Sequence, residues 1–155
     1  MTPGIKVVKK NKITHKIHEY QHDSSSESYG LEAAEKIGVP EAQVFKTLVV
    51  SLNNKELAVG IIPVSSKLSM KLIAKAVGAK KAEMAAQLEV ERSTGYVLGG
   101  VSPLGQKKRL KTIIDSSAKN HATIYVSAGR RGLDIELSAN DLKKLVNGVF
   151  AEICQ

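Results

Sequence analysis

Residues 44–52 (VFKTLVVSL) and 56–64 (ELAVGIIPV) are two apolar runs joined by Asn53-Asn54-Lys55. Asparagine adopts the left-handed backbone of a tight turn readily, so the segment predicts a β-hairpin. No other stretch constrains the fold as strongly. Strands are also expected at 13–20 (ITHKIHEY), 122–128 (ATIYVSA) and 133–137 (LDIEL), the last two separated by a Gly-Arg-Arg-Gly turn. Short buried strands are read at Tyr96-Val97-Leu98 and at Thr112-Ile113-Ile114.

Helices fill the gaps. Thr2 can cap a first helix with Pro3 at its first position. Residues 31–37 form an amphipathic helix stopped by Gly38, after a loop over 22–30. Ser69 caps 70–77, which ends at Gly78. Residues 82–93 (AEMAAQLEVERS) favour helix, and Ser138 with Asp141 resembles a capping box for a last helix. The expectation is one α+β domain over residues 1–155: a mixed, partly closed, barrel-like sheet with helices around it.

The charge balance narrows the partner. A formal net charge of +8 suits a polyanion, because displaced counterions drive binding to phosphates. Aromatics are only 4% of residues, with no tryptophan, which argues against an RNA platform of many stacked rings. The single cysteine, Cys154, allows no disulfide within the chain and suits a reducing cytoplasm. Its place in the tail makes it a poor nucleophile. The cationic N-terminus lacks the apolar run of a secretory signal, and no stretch reaches the length of a membrane span.

Familiar chemistry is missing. His18 and His22 are spaced for a metal only on a helix, and here they straddle a strand end and a loop; no HExxH or CxxC exists, so no metal is expected. GGVSPLGQKK lacks the GK[ST] ending of a phosphate-binding loop, and no GxGxxG opens a helix, so no nucleotide cofactor is expected. No GxSxG is present, although a triad assembled in space stays open.

What remains is unusual. Residues 92–115 carry four glycines, then Ser102-Pro103, then Lys107, Lys108, Arg109 and Lys111 before any carboxylate. With apolar flanks, this is an ordered loop whose backbone something approaches, and that something is negative. Lys46 enters an apolar strand on one face with Val44 and Leu48. It is either a lysine that deters edge-to-edge pairing or extends its head to solvent, or a cation at a pocket mouth, binding a carbonyl oxygen or a phosphate. Tyr20, ending a strand, is either an ordinary amphipathic surface tyrosine or a hydroxyl that donates to a ligand, and Ser127 is either a turn-forming serine or part of the same pocket.

Three segments in this order, VFKTLVV, STGYVLGGVSPLGQKKRLKTIID and TIYVSAGRRGLDIEL, closely resemble the YbaK type of Cys-tRNA(Pro) deacylase, relatives of the editing domain of prolyl-tRNA synthetases. The resemblance covers essentially the whole chain. It implies hydrolytic clearance of cysteine wrongly attached to proline tRNA, in the cytoplasm, with an aminoacyl-tRNA as partner and no cofactor. It leaves open action alone or docked on prolyl-tRNA synthetase, and another substrate such as Ala-tRNA(Pro). A non-catalytic RNA- or nucleotide-binding module also remains open.

The resemblance further implies that Lys46, Gly99 and Ser127 are catalytic. Tyr20, Tyr29, Gly100, Ser102 and Asp134 would hold the substrate. Gly99 and Gly100 would bring backbone N–H groups to the ester, with Ser102-Pro103 shaping their loop. Lys107, Lys108, Arg109, Arg130 and Arg131 would meet tRNA phosphates. The suggested mechanism uses the substrate's own thiol as nucleophile. The turn reads SAGRRG where the family has SGGKRG, placing the Ala128 methyl beside Ser127.

Overall fold

A computed structural model of the protein describes residues 1–26 and 28–155. The expected hairpin forms from β2 (Phe45–Leu52) and β3 (Glu56–Pro63), paired antiparallel with Leu52 opposite Glu56. Asn53 and Asn54 both take positive φ (52° and 60°), and Asn53 Oδ1 also accepts from the Lys80 and Lys81 N–H groups. The hairpin is the centre of a five-stranded sheet. On one side β4 (Ala82–Met84) pairs with Val50–Leu52 of β2. On the other, β5 (Lys111–Asp115) and β8 (Val149–Ala151) add in parallel.

Both faces of the hairpin are covered, which explains why its sequence is apolar rather than alternating. Phe45, Val49, Val59 and Ile61 enter the main core. Val50, Leu52, Ala58 and Ile62 enter a second core with Ile73 of α3 (Met70–Val77) and Ile153.

A second sheet has three antiparallel strands in the order β1 (Lys16–Glu19), β7 (Leu133–Leu137), β6 (Ile124–Arg130). Its residues alternate between apolar and polar, although Tyr125, Ser127 and Asp134 on the polar face are buried too. Ile124, Val126, Ala128, Leu133, Ile135 and Leu137 build the main core. The other face carries His18, Tyr125, Ser127, Asp134 and Glu136. A single parallel bridge, Val44 to Tyr125, joins the two sheets. The expected partly closed barrel is therefore two sheets meeting at one corner, with no closed barrel among the described residues.

Helices α1 (Pro3–Lys10), α2 (Tyr29–Ile37), α4 (Gln87–Thr94) and α5 (Ala139–Val146) surround the sheets. The expected caps form at Thr2, Ser69 and Ser138, each accepting from the N–H three residues on. The loop expected over 22–30 is shorter, because Ser28 caps α2 and Tyr29 begins it; Glu27 lies outside the described residues.

Three expectations are corrected. Residues 82–93 are not one helix: the end of β2 takes Ala82–Met84 as its neighbour, and helix begins only at Gln87. Tyr96-Val97-Leu98 is not a strand. Gly95 closes α4 in the left-handed region, the buried Tyr96 donates its hydroxyl to Leu104 O at 2.6 Å, and Val97 and Leu98 are exposed. Cys154 does not lie in a loose tail. Ile153 is fully buried and its N–H donates to Asp115 Oδ1, while Leu68 bridges Cys154.

Candidate active site

A cavity of about 350 Å3 opens where β2 leaves the corner between the sheets. That lies in the range of small-molecule sites, about 300–1,000 Å3. Its walls come from four places. The start of α2 gives Ser28, Tyr29 and Gly30; β2 gives Phe45, Lys46, Thr47 and Leu48. The glycine loop gives Leu98, Gly99 and Val101, and the β6–β7 corner gives Ser127 and Arg131. Lys46, Gly99 and Ser127, remote in sequence, thus meet at one cavity.

Lys46 is half-buried. Burial holds its ammonium below the usual lysine range; the Cys154 sulfur opposes that shift and Lys67 adds to it. β4 pairs with β2 only at Val50–Leu52, so that ladder stops short of Lys46, whose side chain lines the cavity. Cys154 itself is pushed up to about 11, by burial and then by the Asp115 carboxylate. It stays a protonated thiol near neutrality.

Ser127 is buried; its Oγ accepts from Gly129 N at 3.1 Å, and its side chain also hydrogen-bonds Tyr29, opposing the rise in that tyrosine's pKa. A bulge between Ser127 and Arg130 turns the strand here, and Gly129 takes φ +124°. The Ala128 methyl points away from the cavity into the main core, so its difference from the family leaves Ser127 undisturbed.

Behind this wall lies a buried polar cluster. Tyr29 donates its hydroxyl to Asp134 Oδ1 at 2.6 Å. Asp134 is fully buried, and its Oδ2 has no partner among the described residues. Burial raises its carboxyl to about 6, against the opposing Tyr29 hydrogen bond and the nearby His18. Burial, with Asp134 next, likewise pushes Tyr20 up to about 12 and Tyr29 far above the ordinary tyrosine range. Tyr20 and Asp134 stand in this cluster and do not line the cavity.

The glycine pair has a different basis from the one its sequence suggests. A Cβ on Gly100 would lie 3.0 Å from Arg130 Cα, and one on Gly99 would lie 2.9 Å from Arg131 Nε. What comes close to this backbone is the arginine turn. Gly100 N–H is spent on Val97 O at 3.0 Å, so it is not an oxyanion donor. Gly99, at φ +89°, lines the cavity, and its N–H is unspent among the described residues. Ser102 is fully buried and its Oγ accepts from Leu104 N, which makes it a turn residue rather than a substrate contact.

The cations are also divided. Arg131 lines the cavity, whereas Arg130 is exposed and pairs with Glu19 at 2.9 Å. Lys107 lies along Gly95, and Lys108 and Arg109 line a separate groove. Thr47 is the wall residue that the sequence did not single out. Its Oγ1 is buried without a partner among the described residues, and its only sequence signal is a hydroxyl next to Lys46 in an apolar strand.

A family model, the aminoacyl-tRNA editing domain, matches residues 27–145. The chain belongs to that family. It is 39% identical over 153 residues to the Enterococcus faecalis protein named "Putative Cys-tRNA(Pro)/Cys-tRNA(Cys) deacylase EbsC", covering 98% of this chain and 92% of that one. It is 28% identical over 125 residues to the uncharacterized protein YwhH of Bacillus subtilis, covering 80% and 79%. Among solved structures, the editing-domain fold matches a crystal structure described as a putative trans-editing enzyme for prolyl tRNA synthetase. The TM-score is 0.81 at 21% identity, over 91% of this chain and 87% of that one. It also matches the hypothetical protein APE2540, with a TM-score of 0.86 at 24% identity over 99% of each chain. Among the described residues, no group of three or more His, Cys, Asp or Glu side chains is placed to hold a metal, and no helix is long and apolar enough to cross a membrane.

Proposed function

We propose that this editing domain acts in trans, hydrolysing the ester that joins cysteine to proline tRNA. One observation carries the reading. The cavity gathers two cations, a glycine N–H and four hydroxyl side chains, Ser28, Tyr29, Thr47 and Ser127, and neither Ser127 nor Thr47 is hydrogen-bonded to a base among the described residues. His15, His18 and His22 are engaged with Ile13 O, Glu136 and Glu32. Such a cavity can orient an acyl group and stabilise negative charge, and its serine and threonine hydroxyls have no hydrogen-bonded base to activate them among the described residues. The Enterococcus relative's name supports the substrate.

Cysteine supplies the nucleophile. Its sulfur, as thiolate, attacks its own carbonyl carbon. The ester C–O bond breaks, and the ribose oxygen leaves with a proton. The resulting four-membered thiolactone adds water and opens to free cysteine. Holding sulfur and carbonyl together removes much of the barrier, and fixed donors at the oxyanion remove more. Lys46 and the Gly99 N–H serve the oxyanion or the tRNA end. Ser127 and Tyr29 orient the aminoacyl group. Arg131 meets the terminal phosphates, and the substrate places the protein in the cytoplasm. Prolyl-tRNA synthetase, which makes the mischarged substrate, is the protein partner this reading names.

Single-turnover deacylation at saturating enzyme tests the mechanism. Seryl-tRNA(Pro) differs from cysteinyl-tRNA(Pro) by oxygen for sulfur, and only the thiol is partly ionised near neutrality. Cysteinyl-tRNA is expected to clear much faster, with similar binding. Equal rates would refute substrate-thiol attack. Efficient clearance of alanyl-tRNA(Pro) would reassign the substrate, since alanine has no nucleophile.

A further inference from the structure

A second groove is larger than the candidate active site. It has a volume of about 520 Å3 and runs between α1, the segment after Pro103 and the end of α5. Lys6 and Lys10 of α1, Lys108 and Arg109 of the loop and Lys144 of α5 all line it, and no aspartate or glutamate does. All five are exposed, and none forms an ion pair among the described residues. The family match begins at residue 27, so the α1 wall lies outside it.

An ordinary explanation exists for two of these cations. Lys10 and Lys144 sit in the last turns of their helices, where a cation offsets the partial negative charge of the terminal carbonyls. Those carbonyls are already engaged, however. Asn11 donates both N–H and Nδ2 to Val7 O, and Gly148 N donates to Lys143 O. Lys6, Lys108 and Arg109 lie outside any last turn. Lys6 and Lys10 are also four residues apart on one helix, a like-charge spacing that disfavours the helix until an anion relieves it.

The groove is joined to the active-site cavity by direct packing. A Cβ on Gly4 would lie 3.0 Å from Ala128 O, immediately after the wall residue Ser127. One on Gly105 would lie 2.7 Å from the Pro3 carbonyl carbon. α1 therefore starts against the back of the cavity wall. Lys6 and Lys10 follow at roughly 3 and 9 Å along its axis, at 1.5 Å per residue. The loop that carries Gly99 into the cavity carries Lys108 and Arg109 into the groove.

We propose that this groove binds the phosphodiester backbone of the substrate tRNA outside its aminoacylated end. The proposal rests on the aminoacyl-tRNA reading of the active site. It assigns the two basic walls to the body of the tRNA, and Lys46 and Arg131 to its tip.

The experiment measures binding of uncharged proline tRNA to the full-length protein as salt is varied. Each lost phosphate contact flattens the log–log slope by about 0.7–0.9, so Lys6→Ala/Lys10→Ala should flatten it by about 1.4–1.8. Extrapolated from 1 M to about 0.15 M salt, that is a loss of roughly 15- to 30-fold in affinity. Lys108→Ala/Arg109→Ala, on the other wall, should do the same. Lys16→Ala/Lys55→Ala removes equal charge from exposed positions outside the groove and the cavity and should leave the slope unchanged. Wild-type slopes in both groove variants, or equal flattening in the Lys16/Lys55 variant, would overturn the proposal. So would unchanged tRNA affinity with lost binding to prolyl-tRNA synthetase, which would give the groove to an acidic protein surface. Because uncharged tRNA is used, failure of the deacylase reading shows separately, as absent turnover with the slopes still flattened. Hydrolysis of a short ester, cysteinyl-adenosine, by Lys6→Ala/Lys10→Ala should match wild type, since that substrate has no tRNA body.

Discussion

Asp134→Asn isolates the energetics of the cluster behind the cavity. Asp134 is fully buried, and Tyr29 donates to its Oδ1. Asparagine keeps the size and that acceptor but cannot ionise. In the fold, burial raises the carboxyl to about 6, whereas an unfolded aspartate titrates near 3.9. The folded state therefore holds the proton more tightly. The resulting stabilisation is full below the unfolded value and is lost as pH rises through the folded one. From about pH 4 to about pH 7 the loss comes to roughly 2 kcal/mol. Urea unfolding of wild type and Asp134→Asn at both pH values measures it. All other titrations are shared, so the stability of the variant relative to wild type should rise by about that amount across the window. The urea slope should be unchanged, because the same surface unfolds. A pH-independent difference would mean that Asp134 does not titrate there. A difference of opposite sign would mean that the fold favours the carboxylate, and that the unpartnered Oδ2 has a donor after all.

Lys46→Ala should remain folded and slow single-turnover deacylation by about 10²–10³, the usual cost of one oxyanion donor; a rate within a few-fold of wild type would remove Lys46 from the chemistry. Gly30→Ala should lower the thermal midpoint, because its Cβ would lie 2.1 Å from Val64 Cγ1. Overpacking of this kind costs about 1–3 kcal/mol, and an unchanged midpoint would contradict the packing. Cys154→Ser should deacylate within about twofold of wild type, since the native thiol is protonated near neutrality. A large loss there would point to an enzyme sulfur.

How much of this was legible in the sequence follows from the range of each interaction. The hairpin and the caps at Thr2, Ser69 and Ser138 depend on neighbours a few residues away, and they form as read. β4 was hidden because Ala82–Met84 has helical composition and becomes a strand only beside Val50–Leu52. The glycine pair was legible as a close approach, but its partner, the turn at Arg130 and Arg131, is about thirty residues away in sequence. The cation run after Gly105 looked like one patch near the pocket. Its members instead diverge, because Lys107 N and Lys108 N bond the end of α4 at Thr94 O and Ser93 O. Lys46 and Ser127 stood out from their strands, but with an ordinary structural reading beside the functional one, and only the family resemblance gave them catalytic roles. Thr47 had no such help.

A cavity without an activated nucleophile of its own also fits the discrimination that editing requires. Prolyl-tRNA(Pro) is the correct product and must survive, although proline and cysteine are similar in size. A serine or cysteine nucleophile in the wall would attack either ester, leaving fit as the only safeguard. Fit distinguishes a methylene-sized difference by about 1–3 kcal/mol, or roughly 10- to 200-fold. With the nucleophile on the substrate, proline can occupy the cavity and still not react, because it carries no thiol. Ser127 suits this division of labour: its Oγ is held by Gly129 N and has no histidine partner, so it can orient a substrate without becoming acylated. Cys154 suits it as well. It lies near Lys46, but the Asp115 carboxylate and burial keep its sulfur protonated, so proximity to a cation does not make it a thiolate. Under the proposed substrate-thiol mechanism, selectivity would rest on what the bound amino acid can do, and tight steric exclusion of proline would be unnecessary.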